Sequence, residues 1–227
     1  MRRAPPFDAG APATAQAFVE AFGVSRETGD RLRTYEALLN RWQKTINLVA
    51  PRTLATVWSR HFADSAQLLD LAPAGATRWL DLGSGAGFPG LVLAIMLMER
   101  PPCRVLLVES DSRKAAFLSE VARRTGAPVD ILCMRIESPS TQAKVGEVDV
   151  ITARALAPMT RLLGLAAPFF SPTTVALFLK GREVVDEINE AKADWTFRAD
   201  LVESRTDHEG RVAVITSLKA NDAGVIP

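Results

Sequence analysis

The sequence predicts an α/β fold, in which a seven-stranded, mostly parallel sheet lies between two layers of helices and follows a helical extension. Three observations lead to this prediction. From about residue 73 onward, strand-like apolar runs alternate with helical periods, which is the pattern of a parallel sheet covered on both faces. Runs such as VLLVE and VALFL are apolar almost throughout, as expected of strands buried on both sides. Before residue 73 the apolar residues recur at helical spacing.

The helical extension is predicted to cover residues 13–72. Its first long helix has apolar residues at steps of three and four, at Leu32, Tyr35, Leu38, Leu39, Trp42 and Ile46. Residues 47–51 interrupt this pattern, and Thr53 can cap the helical segment that follows. The other predicted boundaries are a disordered segment at residues 1–12, the α/β domain at residues 73–220 and a C-terminal tail at residues 221–227.

The sheet is predicted from seven strand-like runs, in the order RWLDL, CRVLLVE, VDILCM, VDVITA, TVALFLK, FRADLVE and RVAVITSLK. Helices are predicted between them at residues 88–99, 111–124, 159–167 and 183–193. The last two runs are joined by the short polar segment SRTDHEG, so those two strands should pair in antiparallel fashion.

The composition limits the possible classes of protein. The 227 residues carry a formal net charge of +1, so a site for nucleic acid would have to come from local clustering of charge. The two cysteines, Cys103 and Cys133, form no CxxC pair, and the two histidines lie far apart, so we predict no metal site. The longest apolar run, LVLAIMLM, is too short to span a bilayer, and the first residues do not read as an export signal. We therefore expect a cytoplasmic protein without a membrane partner.

The most informative stretch is WLDLGSGAGFPG, which ends the first strand and opens the next helix. Ligands of doubly wound sheets bind at this edge, and Gly83, Gly85 and Gly87 would let the backbone approach one closely. Two ligands compete. The G-x-G-x-x-G spacing, with Glu109 positioned 19 residues after Gly90 to bind ribose hydroxyls, fits a nicotinamide or flavin dinucleotide. Asp81, however, disfavours a pyrophosphate and suits the cationic methionine end of S-adenosyl-L-methionine, which favours a methyltransferase.

Several further blocks accompany this turn: ESDSRKAAFL, MRIES, TARALAP and LFLKG downstream, and WQKTINL and RHFADS upstream. Together with LDLGSGAGFPGLVLAI, they resemble the small-subunit ribosomal RNA guanine-N(7) methyltransferases, also called the glucose-inhibited division protein B family. The resemblance runs from about residue 35 to residue 219, in the same order. One glycine turn would be weak support, but the ordered set of blocks is specific.

The resemblance implies a three-layer, Rossmann-like, S-adenosyl-L-methionine-dependent methyltransferase fold. It implies an enzyme that methylates N7 of a specific guanine in 16S ribosomal RNA of the small subunit. The residues that it implies for contact with the methyl donor are Gly83, Phe88, Ile136, Glu137 and Arg154. The acid after the second strand is often aspartate in this family, whereas here it is Glu109, whose longer arm should still reach the ribose.

The residues agree with a ring-nitrogen target. N7 of guanine carries an in-plane lone pair, so no proton has to leave before attack and we predict no catalytic base; alignment of donor and acceptor can suffice. Neither cysteine is placed as a nucleophile for a carbon target. The loop ARALAP lacks the aromatic residue that loops for exocyclic amines often contain.

Five basic residues are candidates for RNA binding: Arg113, Lys114, Lys180, Arg182 and Arg211. The first two open a helix, where cations oppose the helix dipole, and this mismatch suggests phosphate contacts. Solvated side chains or structural ion pairs are the competing interpretation. His61 is expected to be a buried, hydrogen-bonded core residue. Two other functions stay open at this point, a nicotinamide-dependent oxidoreductase and an RNA-binding scaffold, and we expect a monomer.

Overall fold

The computed structural model describes residues 10–100 and 102–221. Its helices are α1 (Ala15–Phe22), α2 (Arg26–Trp42), α3 (Asp64–Ala66), α4 (Gly90–Leu97), α5 (Ser112–Thr125), α6 (Pro139–Val145), α7 (Met159–Ala166) and α8 (Val184–Ala191). Its strands are β1 (Arg78–Leu82), β2 (Arg104–Val108), β3 (Val129–Leu132), β4 (Val150–Arg154), β5 (Val175–Lys180), β6 (Trp195–Glu203) and β7 (Arg211–Ala220). Of the predicted terminal segments, residues 1–9 and 222–227 lie outside the described residues.

The seven strands form one sheet in the order β3-β2-β1-β4-β5-β7-β6. The first five strands pair in parallel, whereas β7 runs antiparallel to both of its neighbours. The predicted fold class, with its mostly parallel seven-stranded sheet and an antiparallel pair at the end, is confirmed. The strand order reverses between β1 and β4, and a crevice at the carboxyl ends of such strands is where ligands of this architecture bind.

The core lies on both faces of the sheet. On one face α4 and α5 pack against the sheet, and the helical extension packs over them through α2. On the other face, α7 and α8 cover the same strands. A short helix, α6, was absent from the sequence-based expectations.

The extension is held by capped helices and by one acidic anchor. The hydroxyls of Thr14 and Ser25 accept hydrogen bonds from backbone N–H groups at the starts of α1 and α2, which satisfies donors that a helix leaves free. Glu99, after α4, accepts hydrogen bonds from the backbone N–H and hydroxyl of Ser25 and from the hydroxyl of Thr28. These contacts join the extension to the α/β domain.

Residues 51–70 are less regular than the predicted helix. They form 3₁₀ turns at Pro51–Thr56 and Gln67–Asp70, a π-helical stretch at Trp58–Ala63 and the short α3. Thr53 does not cap this segment, because its hydroxyl hydrogen-bonds the carbonyl of Ala50 and the ring of His61 instead. In the part of the chain that the structure describes, no helix is both long and apolar enough to cross a membrane.

Candidate functional site

The glycine turn after β1 forms one wall of a cavity of about 410 Å³, within the usual size of small-molecule sites. Gly83 and Gly85 have φ of +64° and +56°, a left-handed conformation that residues with a Cβ rarely adopt. A Cβ on Gly85 would meet no atom closer than 3.8 Å, so a side chain there would extend into open space beside the turn. The turn therefore exposes bare backbone to the cavity at Gly85, whereas a Cβ on Gly83 would lie 2.5 Å from Cδ1 of Leu156.

The other two glycines of the motif are needed for packing. A Cβ on Gly87 would collide with the hydroxyl of Tyr35, and a Cβ on Gly90 would lie 2.5 Å from Cβ of Asp81. Gly87, which we expected to approach the ligand, does not line the cavity and lies against the helical extension. Gly90 lets α4 approach β1 closely, which is the role of the third glycine in dinucleotide-type turns.

Glu109, directly after β2, lines the cavity and braces the turn. Its Oε2 accepts a hydrogen bond from the Gly85 N–H at 2.7 Å, and its Oε1 accepts one from the Asp111 N–H at 2.7 Å. Each carboxylate oxygen can accept a second hydrogen bond, so Glu109 can hold the turn and bind hydroxyl groups at the same time.

Asp81 lies under the turn and is only 1% exposed, so it does not line the cavity. Its Oδ1 accepts a hydrogen bond from the Thr152 hydroxyl at 2.7 Å, and the carboxylate also lies within reach of the Ser84 hydroxyl and the Gly90 N–H. Burial is the main cause that raises the pKa of Asp81 to about 6, although hydrogen bonds from the Thr152 and Ser84 hydroxyls and from the Gly90 N–H, and then the charge of Arg154, act in the opposite direction. Asp81 can therefore act on a ligand through its field and not through direct contact.

Ile136 and Glu137, which follow β3, also line the cavity. Ile136 is buried, and Glu137 forms an ion pair at 3.7 Å with Arg161, whose side chain is largely exposed. With Gly83, Phe88 and Arg154 they complete the set of donor-contact residues that the resemblance implies, and all five border this one cavity.

Arg154, at the end of β4, is held by the extension. Its Nη1 donates to the carbonyl of Arg60 at 3.2 Å and lies 3.4 Å from Oδ2 of Asp64, and its Nη2 lies 2.7 Å from Nδ1 of His61. The guanidinium carbon lies 4.9 Å from the centre of the Phe88 ring, within cation–π range. Desolvation lowers the pKa of Arg154, and the Asp64 carboxylate opposes that effect.

A second cavity, of about 500 Å³, adjoins the first. The two share Leu48, Arg154 and Ala155, so Arg154 stands in the wall between them. Basic residues line the second cavity at Arg52, Arg60, Arg154, Lys180 and Arg211, and acidic ones at Asp64, Glu187 and Asp207. Ala155 has φ of +51°, an uncommon conformation for a non-glycine residue, and such residues cluster at functional sites.

The five basic residues chosen from the sequence lie in different environments. Arg211 lines the second cavity and donates to the carbonyls of His208 and Gly210. Lys180 also lines it, but its side chain is only 9% exposed and its amine is paired with Glu187.

Lys114 lines the first cavity and not the second. Arg113 and Arg182 border neither cavity, and both are strongly exposed, with ion pairs to Asp111 at 3.4 Å and to Glu209 at 3.7 Å. The structure therefore brings two of the five together, Lys180 and Arg211, which are also register partners on β5 and β7.

Sequence reasoning missed several cavity residues because they lie in the extension and in the loop between β6 and β7. These are Leu48, Arg52, Arg60, Asp64 and Asp207. Arg60 and Asp64 stand four positions apart, the spacing of an ion pair within one helix, but Arg60 pairs with Asp207 and Asp64 with Arg154. The blocks WQKTINL and RHFADS, which contain Leu48, Arg60 and Asp64, were the signal available in the sequence.

The cavity fits S-adenosylmethionine. The backbone at Gly85 makes room for a ligand, Glu109 presents carboxylate oxygens to hydroxyl groups, and the buried carboxylate of Asp81 favours positive charge nearby. A pyrophosphate would be repelled by a buried carboxylate under the turn. The sheet also departs from the classic dinucleotide-binding order 3-2-1-4-5-6, because antiparallel β7 lies between β5 and β6.

The fold and the turn define the class of S-adenosylmethionine-dependent methyltransferases. The structure resembles the O-methyltransferase of Bacillus cereus in complex with SAH, with a TM-score of 0.54 at 15% identity over 82% of this chain and 91% of that one. The family model described as GidB, rRNA small subunit methyltransferase G, matches residues 29–212.

Curated relatives agree with this match. The chain is 52% identical over 207 residues to ribosomal RNA small subunit methyltransferase G of Parvibaculum lavamentivorans, covering 91% of each chain. It is 53% identical over 201 residues to the protein of the same name from Rhodospirillum centenum, covering 88% of this chain and 89% of that one. The chain belongs to the rRNA small subunit methyltransferase G family. The predicted family is confirmed, and a nicotinamide-dependent oxidoreductase is not favoured.

Proposed function

We propose that this protein transfers a methyl group from S-adenosyl-L-methionine to N7 of one guanine in 16S ribosomal RNA. The observation that carries the proposal is the pair of adjacent cavities with Arg154 in their common wall, one beside the glycine turn and the other lined by basic residues. Membership in the family supports the same reaction and an RNA substrate.

The first cavity is the proposed donor site. S-adenosylmethionine supplies an electrophilic methyl group on a sulfonium centre when it is bound there. Glu109 would accept hydrogen bonds from the ribose hydroxyls, and the backbone at Gly83 and Gly85 would lie against the ligand. Ile136 offers an apolar surface to the adenine ring, and the field of Asp81 favours the positive charge of the methionine end.

The second cavity is the proposed acceptor site. A guanine turned out of the RNA would enter it with N7 directed at the shared wall, while Arg52, Arg60 and Arg211 attract the neighbouring phosphates. The N7 lone pair forms the new N–C bond as the S–C bond breaks, and no proton has to be removed first. The chain therefore contributes alignment, for which effective molarities of roughly 10⁵–10⁸ M are known in well-oriented reactions.

The same proposal covers the finer points of organisation. Residues 73–220 would form the catalytic domain, and residues 13–72 an extension that completes both cavities. The substrate would be the small ribosomal subunit or an assembly intermediate of it, bound by a monomer of the chain in the cytoplasm. Size-exclusion chromatography with light scattering, alone and with the subunit, measures the stoichiometry directly.

The decisive experiment is labelled-methyl transfer to small subunits from cells that lack this protein, followed by nucleoside mass spectrometry. New 7-methylguanosine is the expected product. Transfer to another nucleoside would contradict the ring-nitrogen target. Binding of S-adenosylmethionine in calorimetry without transfer to these subunits would contradict the proposed acceptor but not the donor site.

A further inference from the structure

His61 makes three directed contacts at the junction of the two cavities, one of them with Arg154 in their common wall. The residue is 6% exposed, and its Nδ1 lies 2.7 Å from Nη2 of Arg154. Its ring stacks on the ring of Phe88, with centroids 4.7 Å apart and planes 18° from parallel. Its other nitrogen, Nε2, lies 2.8 Å from Oγ1 of Thr53.

The chemistry of these partners determines the tautomer of His61. A guanidinium only donates hydrogen bonds, so Nδ1 must be the acceptor for Arg154 and the ring must be neutral. The proton then sits on Nε2, which donates to Oγ1 of Thr53, and the Thr53 hydroxyl donates in turn to the Ala50 carbonyl at 2.8 Å. Every donor in this series of hydrogen bonds, from Arg154 to the Ala50 carbonyl, therefore meets an acceptor.

The neutral state is supported electrostatically. Burial is the main cause that lowers the pKa of His61 to about 3, and the positive charges of Arg154 and Arg60 lower it further. The lone pair on Nδ1 is thus available to Arg154 at neutral pH. Phe88, one of the residues of the glycine turn, packs between the imidazole of His61 and the phenol of Tyr35.

We propose that His61 is a positioning residue for methyl transfer, which orients the Arg154 guanidinium in the wall between the two cavities through its neutral Nδ1. The role rests on the proposed function, because Arg154 matters only if both cavities are used. His61 borders the second cavity but not the first, so any effect on donor binding must pass through Arg154 and Phe88.

A matched pair of substitutions isolates this contact. In His61→Asn the amide oxygen occupies a position close to that of Nδ1 and can still accept from Arg154. In His61→Gln the longer amide can still reach Thr53 but no longer presents an acceptor at the Nδ1 position. Loss of a charge-assisted hydrogen bond costs about a factor of ten in binding. We expect His61→Gln to raise the Kd and KM for S-adenosylmethionine about tenfold, and His61→Asn to stay within about threefold of the unsubstituted protein.

The outcomes separate this inference from the proposed function. If the unsubstituted protein binds the donor and methylates subunits while His61→Gln matches it in Kd and KM, the positioning role is wrong. Equal losses in both variants would also contradict it, because the acceptor would then not be the relevant feature. An unsubstituted protein without donor binding or transfer would overturn the proposed function itself.

A second measurement does not depend on any variant of His61. The chain has two histidines, so ¹⁵N spectra of histidine-labelled protein contain two rings, and a His208→Gln sample assigns them. We expect the His61 ring to be neutral at pH 6, with the proton on Nε2. A charged ring, or a neutral ring with the proton on Nδ1, would overturn the proposal.

Discussion

The phenol ring of Tyr35 stacks on the phenyl ring of Phe88, with centroids 5.4 Å apart and planes 9° from parallel. Tyr35 belongs to α2 of the extension, and Phe88 belongs to the glycine turn of the α/β domain. The Tyr35 hydroxyl also donates to the Ala86 carbonyl in that turn. The extension therefore supports the turn directly, and the two segments form one packed unit.

Removing the Tyr35 hydroxyl should weaken the turn. Tyr35→Phe keeps the ring stack but leaves the buried Ala86 carbonyl without this donor, at a cost of about 1–2 kcal/mol in the free energy of unfolding. Denaturant unfolding measures this cost. Thr34→Val is the control, because it removes an exposed hydroxyl that donates to the backbone carbonyl of Asp30 within the same helix. Equal losses in the free energy of unfolding for the two variants would show that the hydrogen bond from Tyr35 to the turn stabilises the protein no more than a hydrogen bond within α2 does.

The open space beside Gly85 can be tested with a single methyl group. Gly85→Ala adds it at the cavity, whereas Gly126→Ala adds one after α5, and neither new Cβ meets an atom within 3.4 Å. Both glycines have positive φ, so both variants should lose about 1–2 kcal/mol of stability. Only Gly85→Ala should also weaken binding of S-adenosylmethionine, by more than tenfold in calorimetry. Equal affinity for S-adenosylmethionine in the two variants would show that the donor does not bind beside Gly85.

The buried carboxylate of Asp81 should reduce stability at neutral pH. The pKa is about 6 in the folded protein, against 3.8 for an ordinary aspartate, so between these values the folded state keeps a proton that the unfolded state has lost. The contribution of Asp81 therefore becomes less favourable as pH rises from about 4 to 6. Asp81→Asn is expected to be more stable than the unsubstituted protein by up to about 3 kcal/mol at pH 8, and about equal to it below pH 4.

The same substitution should weaken donor binding, because the field that favours positive charge is lost. Unfolding at pH 3.5 and at pH 8, with calorimetry at pH 8, measures both effects. Asp200→Asn, at an exposed position on β6 that borders neither cavity, is the control and should change neither quantity. A destabilised Asp81→Asn variant at pH 8 would contradict the raised pKa.

The basic lining of the second cavity should carry RNA phosphate contacts. Replacing Arg52 and Arg211 by Ala should weaken binding to unmethylated small subunits and reduce the slope of log K against log salt by roughly 0.7–0.9 for each lost contact. Arg198→Ala removes an exposed charge on β6 that borders neither cavity, and should leave the slope unchanged. If the cavity variants behave like Arg198→Ala, the RNA backbone follows another surface, and the exposed Arg113 and Arg182 become the next residues to replace.

Much of the fold was predictable because the relevant signals are local. Alternating strand and helix periods predicted the seven strands, and the short polar connection after β6 predicted the antiparallel pair. The spacing of Gly83, Gly85, Gly87 and Gly90 predicted a ligand-binding turn, and the ordered blocks predicted the family. The insertion of β7 between β5 and β6 was not predicted, since the order of strands in a sheet depends on where each crossover connection places the next strand.

The sequence by itself determined the seven strands and the glycine turn, because period and spacing act over a few residues of chain, and its ordered blocks determined the family. Only the tertiary structure decided that His61 and Asp64 hold Arg154, which lies 93 and 90 positions further along the chain. It also decided that Arg60 forms its ion pair with Asp207 and not with Asp64. The tertiary structure likewise decided that Gly87 leaves room for the Tyr35 hydroxyl and does not line the cavity. Partners so far apart in sequence meet only after the extension has packed against the carboxyl ends of the strands, and no local period encodes that meeting.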